Sequence, residues 1–507
     1  MTYPPNGSAA PPGTPGQPGP PGLSVRPAAP TMPALPPQSG PAVPRPAGAA
    51  APAAPHTPAH TPPPAPARRT AWAEGVDSLR SAATTEPGRL RIIGAVLALL
   101  VVAFGAVTAW QMTDRSAAAD DVLNSSQPLS ASAADIYRSL ADANTAASSG
   151  FLAGGQETEA SRERYEGDIR TAAEKLVTAA ANSEPGSPSE KTITKLNKLL
   201  PEYKGLIERA RANNRQGFPL GGAYLRYANA KMQDEMLPAA RDLYTKENQR
   251  LEADYADATP YPWIAIGLGL VALTGLAWAQ QRNYRRTNRV LNHGMAAATA
   301  ASAVVLLWLV VGHSVARAGL NESYDHGVRS LNVLNDARLA SLNARGNENL
   351  TLVSRGAETK ELPDGSVVDL FDYDFQQEMD DLTKKLAAAS ALADDKAGEE
   401  PVATATGNMK VWKLRHLEAR EADDSGNYQA ALDKVIGSKD DEPTGECFDG
   451  VDENLRLALV HEEAEFRKSA SNGLDALAGL PVGAAVLAVL AAAGAVLGIG
   501  RRLSEYR

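Results

Sequence analysis

Four stretches of this chain, 92–112, 261–280, 295–315 and 477–500, contain no Asp, Glu, Lys or Arg. At about 1.5 Å rise per residue, each is long enough as a helix to cross a hydrocarbon core of about 30 Å. Each is therefore predicted to be a transmembrane helix. The first begins too far into the chain, and is too long, to be the apolar region of a cleaved signal peptide.

Between the spans the apolar positions follow a helical period. Val122, Leu123, Leu129, Ile136, Tyr137 and Leu140 recur on one face, as do Ile169, Ala172, Leu176 and Ala180. Ile193, Leu196, Leu199, Leu200, Tyr203 and Ile207 make a third set, in which Pro201 is expected to kink or interrupt the helix. Tyr224, Leu225, Met232, Met236, Leu237 and Leu243 make a fourth, with an irregularity expected at Pro238. Breaks are expected at Gly154-Gly155, over 183–188 and over 217–222. Strand-like alternation is nearly absent. Four antiparallel helices would return the chain to the membrane and bury one stripe each without a disulfide.

The layout then repeats. Spans one and three start 203 residues apart, and 151–158 falls on 352–359 at an offset of 201. Later matches at offsets of 209 and 210 place the extra residues of the second copy in the Pro363-Asp364-Gly365 turn. The predicted fold class is all-α: four transmembrane helices with two extracytoplasmic four-helix-bundle domains, in a duplicated span–bundle–span unit, and a disordered N-terminal arm. The expected order is an arm over 1–90, bundle one over 113–260, a loop over 281–294, bundle two over 316–476 and a tail over 501–507. The first outer helix is expected to run on from span one. The fourth should run into span two, with Pro260 and Pro262 as a hinge.

Composition sharpens this plan. Of 36 prolines in 507 residues, 23 fall in the first 70, where Arg26, Arg45, Arg68 and Arg69 are the charges. Such a segment cannot bury enough apolar surface to fold, although Pro63-x-x-Pro66-x-Arg68 has the form of a polyproline ligand. The arm, the 281–294 loop and the tail carry a net charge of +10, whereas segments 113–260 and 316–476 carry −4 and −15. By the positive-inside rule both termini should be cytoplasmic and the two large segments outside, in the plasma membrane.

Candidate chemistry is sparse. The single Cys447 excludes an internal disulfide framework, a Cys-rich zinc site and an iron–sulfur cluster. It is either a free thiol or paired with a second chain. Of seven scattered His residues none forms an HExxH pair, and the HEE at 461–463 lacks the second His of a zincin. The spans hold no ionisable group except His313, which argues against active transport. Gly267, Gly275, Gly483 and Gly494 are expected to let spans pack closely. The acidic run 440–453 lacks the ligand spacing of an EF-hand and is expected to be a solvated loop; a longer acidic insertion is expected between 391 and 406. No catalytic residue, metal or cofactor is expected, and no nucleic-acid partner.

The most distinctive polar run is 210–226. Arg211, Asn213, Asn214 and Arg215 close one helix, and a Gly/Pro turn leads to Tyr224 and Arg226. Guanidinium forks and amides there could hold a carboxylate of a ligand or partner; alternatively they cap helix carbonyls and face water. The second copy has Glu421-Ala-Asp-Asp-Ser-Gly426 instead, so such a site would not be duplicated. Arg282, Arg285, Arg286 and Arg289 form the basic cytoplasmic loop.

The arrangement of span, helical outer domain and span resembles the sensory modules of bacterial chemoreceptors and related histidine kinases. Only 14 residues (281–294) and seven residues (501–507) follow the even spans, so a signal is expected to pass to a partner. With its doubled layout, Pro-rich arm and 211–226 run, the chain resembles the GlnX-type membrane proteins of high-GC Gram-positive bacteria. That resemblance implies coupling between an extracytoplasmic solute-binding lipoprotein, of the amino-acid-binding kind, and a soluble Ser/Thr kinase; the likeness to receptors implies a homodimer. The expectation is a non-enzymatic membrane receptor or signal coupler. The alternative is a structural scaffold or an accessory subunit of an envelope or transport complex.

Overall fold

Charge-free stretches that lead into amphipathic ones should give helices that outrun the membrane, and they do. The computed structural model describes residues 85–154, 157–287, 292–437 and 442–504; residues 1–84 of the expected arm and Arg289 lie outside these, and the last residues of that arm, from Glu86, are helical. Of the described residues about 89% are helical, which makes the class all-α. Four helical columns, Pro87–Ala153, Leu220–Arg285, His293–Ser354 and Thr444–Arg501, are long and apolar enough to cross a membrane. At 58 to 67 residues they are roughly 85–100 Å long, about three times the hydrocarbon thickness.

The first column is α1 (Glu86–Asp121), a π-helical turn (Val122–Ser126) and α2 (Gln127–Ala153). Thus the first outer helix does continue from the first span. Helices α3 (Glu159–Asn182) and α4 (Pro188–Arg215) follow, capped by Thr158 and Ser187. Pro201 does not break α4, contrary to expectation. It is exposed, as is Asn197 four residues earlier, so the carbonyl left without an N–H partner faces water.

The second column is α5 (Leu220–Lys231), a π turn (Met232–Met236), α6 (Leu237–Ala258) and α7 (Trp263–Thr287). The expected irregularity at Pro238 is this π turn, which takes up the missing N–H; Pro128 follows the first π turn in the same way. The expected break at Pro260 and Pro262 separates α6 from α7.

The third column is α8 (His293–Glu322), a π turn (Ser323–Val328) and α9 (Arg329–Ser354). Strands β1 (Thr359–Glu361) and β2 (Val367–Asp369) then pair antiparallel around the Pro363–Gly365 turn. Helices α10 (Leu370–Leu392), α11 (Lys396–Asp424) and α12 (Tyr428–Ile436) lead to α13 (Thr444–Asp475) and α14 (Leu480–Ser504).

Two expectations for this half are corrected. The acidic stretch 391–406 is largely the first turns of α11, with Asp395 accepting from the Gly398 N–H as its cap. The described part of the 440–453 run is mainly α13, not a loop: Asp452 is buried there as the partner of Arg338, so its charge is neutralised inside the protein. Cys447 lies on the same helix, buried against Arg415.

The apolar parts of α1, α7, α8 and α14 pack in a ring, α1 on α7 and α14, and α8 on α7 and α14. Leu97, Phe104, Leu276, Val305, Ala491 and Ile499 fill its centre, while Leu99, Trp263, Leu307, Val482 and Leu497 point outward, as lipid contact requires. Close approach rests partly on the expected glycines. A Cβ on Gly494 would stand 2.9 Å from the Gly294 carbonyl oxygen, and one on Gly483 would run into the Trp308 ring; Gly294 itself would meet Gly498 Cα at 2.8 Å. Gly267 is different: it faces open space and brings no helices together. Beyond the ring, the buried apolar side chains of segments 113–260 and 316–476 join one contiguous core, from Ile136, Tyr203 and Leu243 to Leu342, Phe375 and Trp412.

Candidate functional site

Helices α2 and α9 carry runs of Ser, Thr, Asn and Ala where a core helix would carry Leu, and they pack on each other. Small polar side chains allow a close approach but must find partners inside it. Thr145 donates to the Leu342 carbonyl at 2.8 Å, and Asn349 donates to Ser149 at 2.7 Å and Ser148 at 3.1 Å. Arg164 of α3 bridges the segments, reaching Asp142 at 2.8 Å and Asp449 at 3.2 Å. Near the membrane Tyr255 and Ser323 share a 2.7 Å hydrogen bond. The segments are thus joined by a hydrogen-bonded seam along the helices that continue into spans one and three.

A buried charge network stands beside this seam. The Glu348 carboxylate receives Arg345 at 2.5 Å, Thr444 at 3.0 Å, Trp412 Nε1 at 3.1 Å and His416 Nδ1 at 3.0 Å. His416 reaches Asp372 through Nε2 at 3.0 Å and stacks on Phe375 with ring centres 3.6 Å apart. Burial alone would raise the Glu348 carboxyl, but Arg345 and His416 outweigh it and hold it below the carboxylate range. Burial would lower His416, and the hydrogen bonds it donates to Asp372 and Glu348 reverse that. Every strong donor here has an acceptor, so the network is a structural core.

Two of the cavities that flank the seam adjoin each other. One, of about 450 Å³, lies between Tyr137, Arg241 and Tyr244 of the first segment and Asn332, Asp336, Asn343, Glu378 and Lys385 of the second. The other, of about 470 Å³, is lined by Arg226, Asn229, Asn347, Glu358, Phe371, Asp374 and again Glu378. Glu378 is common to both. Burial and the nearby Asp381 push its carboxyl up to about 7, against a 3.3 Å hydrogen bond from Asn343 and the charge of Arg241. Asp336 is neutralised by Lys385 at 2.6 Å. A half-buried carboxyl that changes charge near neutrality, with an arginine, tyrosines and amides around it, can bind a polar ligand through charge and hydrogen bonds.

The residues singled out in 211–226 do not converge on one pocket. Arg211 points into the core, where it pairs with Glu157 at 3.0 Å and covers the Tyr165 ring. Its Nε–H and the Tyr165 hydroxyl have no hydrogen-bond partner among the described residues. Asn213 donates to the Arg209 carbonyl and Asn214 to that of Phe151, both at 2.8 Å, so both satisfy carbonyls. Arg215 is exposed, and Tyr224 packs at the edge of the core. Arg226 alone lines a cavity, 3.3 Å from Glu358 of the other segment. In the basic loop Arg282 lies over the Trp278 ring and Arg285 is exposed; the Arg286 side chain and Arg289 lie outside the described residues.

Sequence reading missed Glu378, Arg241 and the Glu348 network. One signal was available: Arg345/Glu348 and Trp412/His416 stand three and four positions apart on helices, hence on shared faces. Pairing them needs the tertiary fold.

Residues 118–256 match the family model of an actinobacterial sensor domain. The match runs from the end of α1 almost to the end of α6, and so includes α2 of the seam and Tyr137, Arg241, Tyr244 and Arg226 of the cavities. It supports a sensor protein of actinobacterial, high-GC Gram-positive type, with a signalling or sensing role. Searches among curated proteins and among solved structures return no match.

Proposed function

We propose that this protein is a non-enzymatic four-span membrane receptor that reads an extracytoplasmic ligand or solute-binding protein and passes the change to a cytoplasmic partner. The observation that carries the reading is the position of the sensor-domain match, on a helix continuous with span one. A ligand or binding protein that engages Arg226, Arg241 and Glu378 would change how the two outer segments meet. Columns α1–α2 and α8–α9 would carry that change to the ring as a helix shift of about 1–2 Å. The α6–α7 break is braced rather than loose: Arg115 donates to the Pro260 carbonyl at 2.8 Å and the Ala265 N–H to Gln111 at 3.1 Å. Span two would thus follow span one.

In this reading both termini and the Arg282–Arg289 loop are cytoplasmic, by the charge balance of the segments. The unit is an internal duplication: the π turns after α1 and α8 begin 201 residues apart, the offset that aligns 151–158 with 352–359. The outer partner is a solute-binding lipoprotein and the inner one a soluble kinase such as a Ser/Thr kinase, and the receptor works as a homodimer. In-cell cross-linking of the tagged protein, followed by mass spectrometry, tests this. Recovery of a solute-binding lipoprotein and a kinase supports the receptor. Recovery of cell-wall or transport machinery alone overturns it in favour of a scaffold.

A further inference from the structure

His461 and Glu465 stand one turn apart on α13, and Asp395 caps α11 opposite them. The ligand atoms of the three lie within 4.8 Å of one another. His461 Nε2 is 3.1 Å from Asp395 Oδ1 and 3.8 Å from Glu465 Oε2. In a metal polyhedron with bonds of about 2.0–2.2 Å, neighbouring ligand atoms are about 3.0–3.5 Å apart. The trio therefore needs only a small contraction to share one ion.

Charge points the same way. Asp394, Asp395, Glu462 and Glu465 crowd this corner, and among the described residues no Lys or Arg forms an ion pair with any of them; Asp394 faces His326, and Asp395 and Glu465 face His461. Glu462 is buried beside the trio, close to Gly398 with Asp395 and His461. By contrast, Asp452 meets Arg338 and Asp336 meets Lys385 in the same segment.

We propose that Asp395, His461 and Glu465 form a binding site for a divalent transition-metal ion of the zinc class. An imidazole with two carboxylates selects such an ion over calcium, which takes six to eight oxygens. The two carboxylates neutralise it, His461 binds through Nε2 as the neutral imidazole with its ring proton on Nδ1, and water completes the coordination. The ion joins the α10–α11 turn to α13, the helix that precedes span four. This site is independent of the cavities around Glu378.

The test is calorimetric titration of the full-length protein in detergent with Zn²⁺, using a tag without histidine. The site predicts one equivalent bound, at least tenfold weaker binding in His461→Ala, and at least fivefold weaker binding in Asp395→Asn and Glu465→Gln. Asparagine keeps the helix cap, so the Asp395→Asn effect separates ligation from folding. Zn²⁺ should also raise the thermal midpoint of the parent and not that of His461→Ala. No stoichiometric binding, unchanged affinity in these variants, or displacement by an equal concentration of Ca²⁺ would each overturn the proposal.

Discussion

The indole N–H of Trp412 donates to the Glu348 carboxylate across 3.1 Å, joining α11 to α9 over 64 positions of sequence. Glu348 also binds Arg345, His416 and Thr444, so the network depends on this one side chain. Glu348→Ala should destabilise the protein by about 3–5 kcal/mol, because it leaves Arg345 buried without its partner. Trp412→Phe removes one donor and should cost about 1–3 kcal/mol. Thermal unfolding should rank the two in that order.

Arg338 meets Asp452 at 2.6 Å, and Arg164 reaches the same carboxylate from the other segment at 3.4 Å. Asp452→Ala should therefore destabilise strongly, again by about 3–5 kcal/mol. Arg164→Ala should cost less, since that side chain is one third exposed. A double-mutant cycle of Arg164 and Asp452 should give a non-zero coupling. A zero coupling would show that Arg164 does not hold the segments together.

The close approach of α8 and α14 at Gly294 and Gly498 leaves no room for a side chain. Gly294→Leu should force these helices apart and lower the thermal midpoint, whereas Gly267→Ala, in open space, should be neutral or mildly stabilising. Equal effects of the two would contradict the packing described.

Stability should also respond to pH. The Glu378 and Glu462 carboxyls are raised from an ordinary 4.5 to about 7 by burial. Each binds its proton more tightly folded than unfolded, so its contribution is full below about 4.5 and is lost as pH rises through about 7. Glu348, Asp372 and Asp452 are lowered and act in the opposite sense, losing their contribution only at acid pH. The thermal midpoint should therefore fall between pH 5 and 7.5, and Glu378→Gln should flatten that slope.

Much of this fold was legible because its signals are local. A charge-free stretch can be read residue by residue, and so can the breaks at Gly154, at 183–188 and at 217–222. The helix through Pro201 was not legible, because its tolerance depends on Asn197 facing water. The helical character of 440–453 was hidden because the pairing of Asp452 with Arg338 spans 114 positions. The candidate site was less legible still. Arg226 was picked out, but Glu378 looks like one more acid on a charged helix until α10 is set against α6. Arg211 stood out for its chemistry, yet it turned inward to Glu157.

The central claim, that the outer segments and the spans move together, can be tested without a known ligand. Leu97→Cys and Gly275→Cys place thiols on α1 and α7 where a Cβ on residue 275 would stand 3.2 Å from Leu97 Cδ2; Cys447→Ala removes the native thiol. The seam is then disturbed at Asn349→Leu, far from either span. The account predicts at least a twofold change in the rate of oxidative cross-linking between residues 97 and 275. An unchanged rate, with the seam demonstrably loosened by faster amide exchange in α2 and α9, would contradict it.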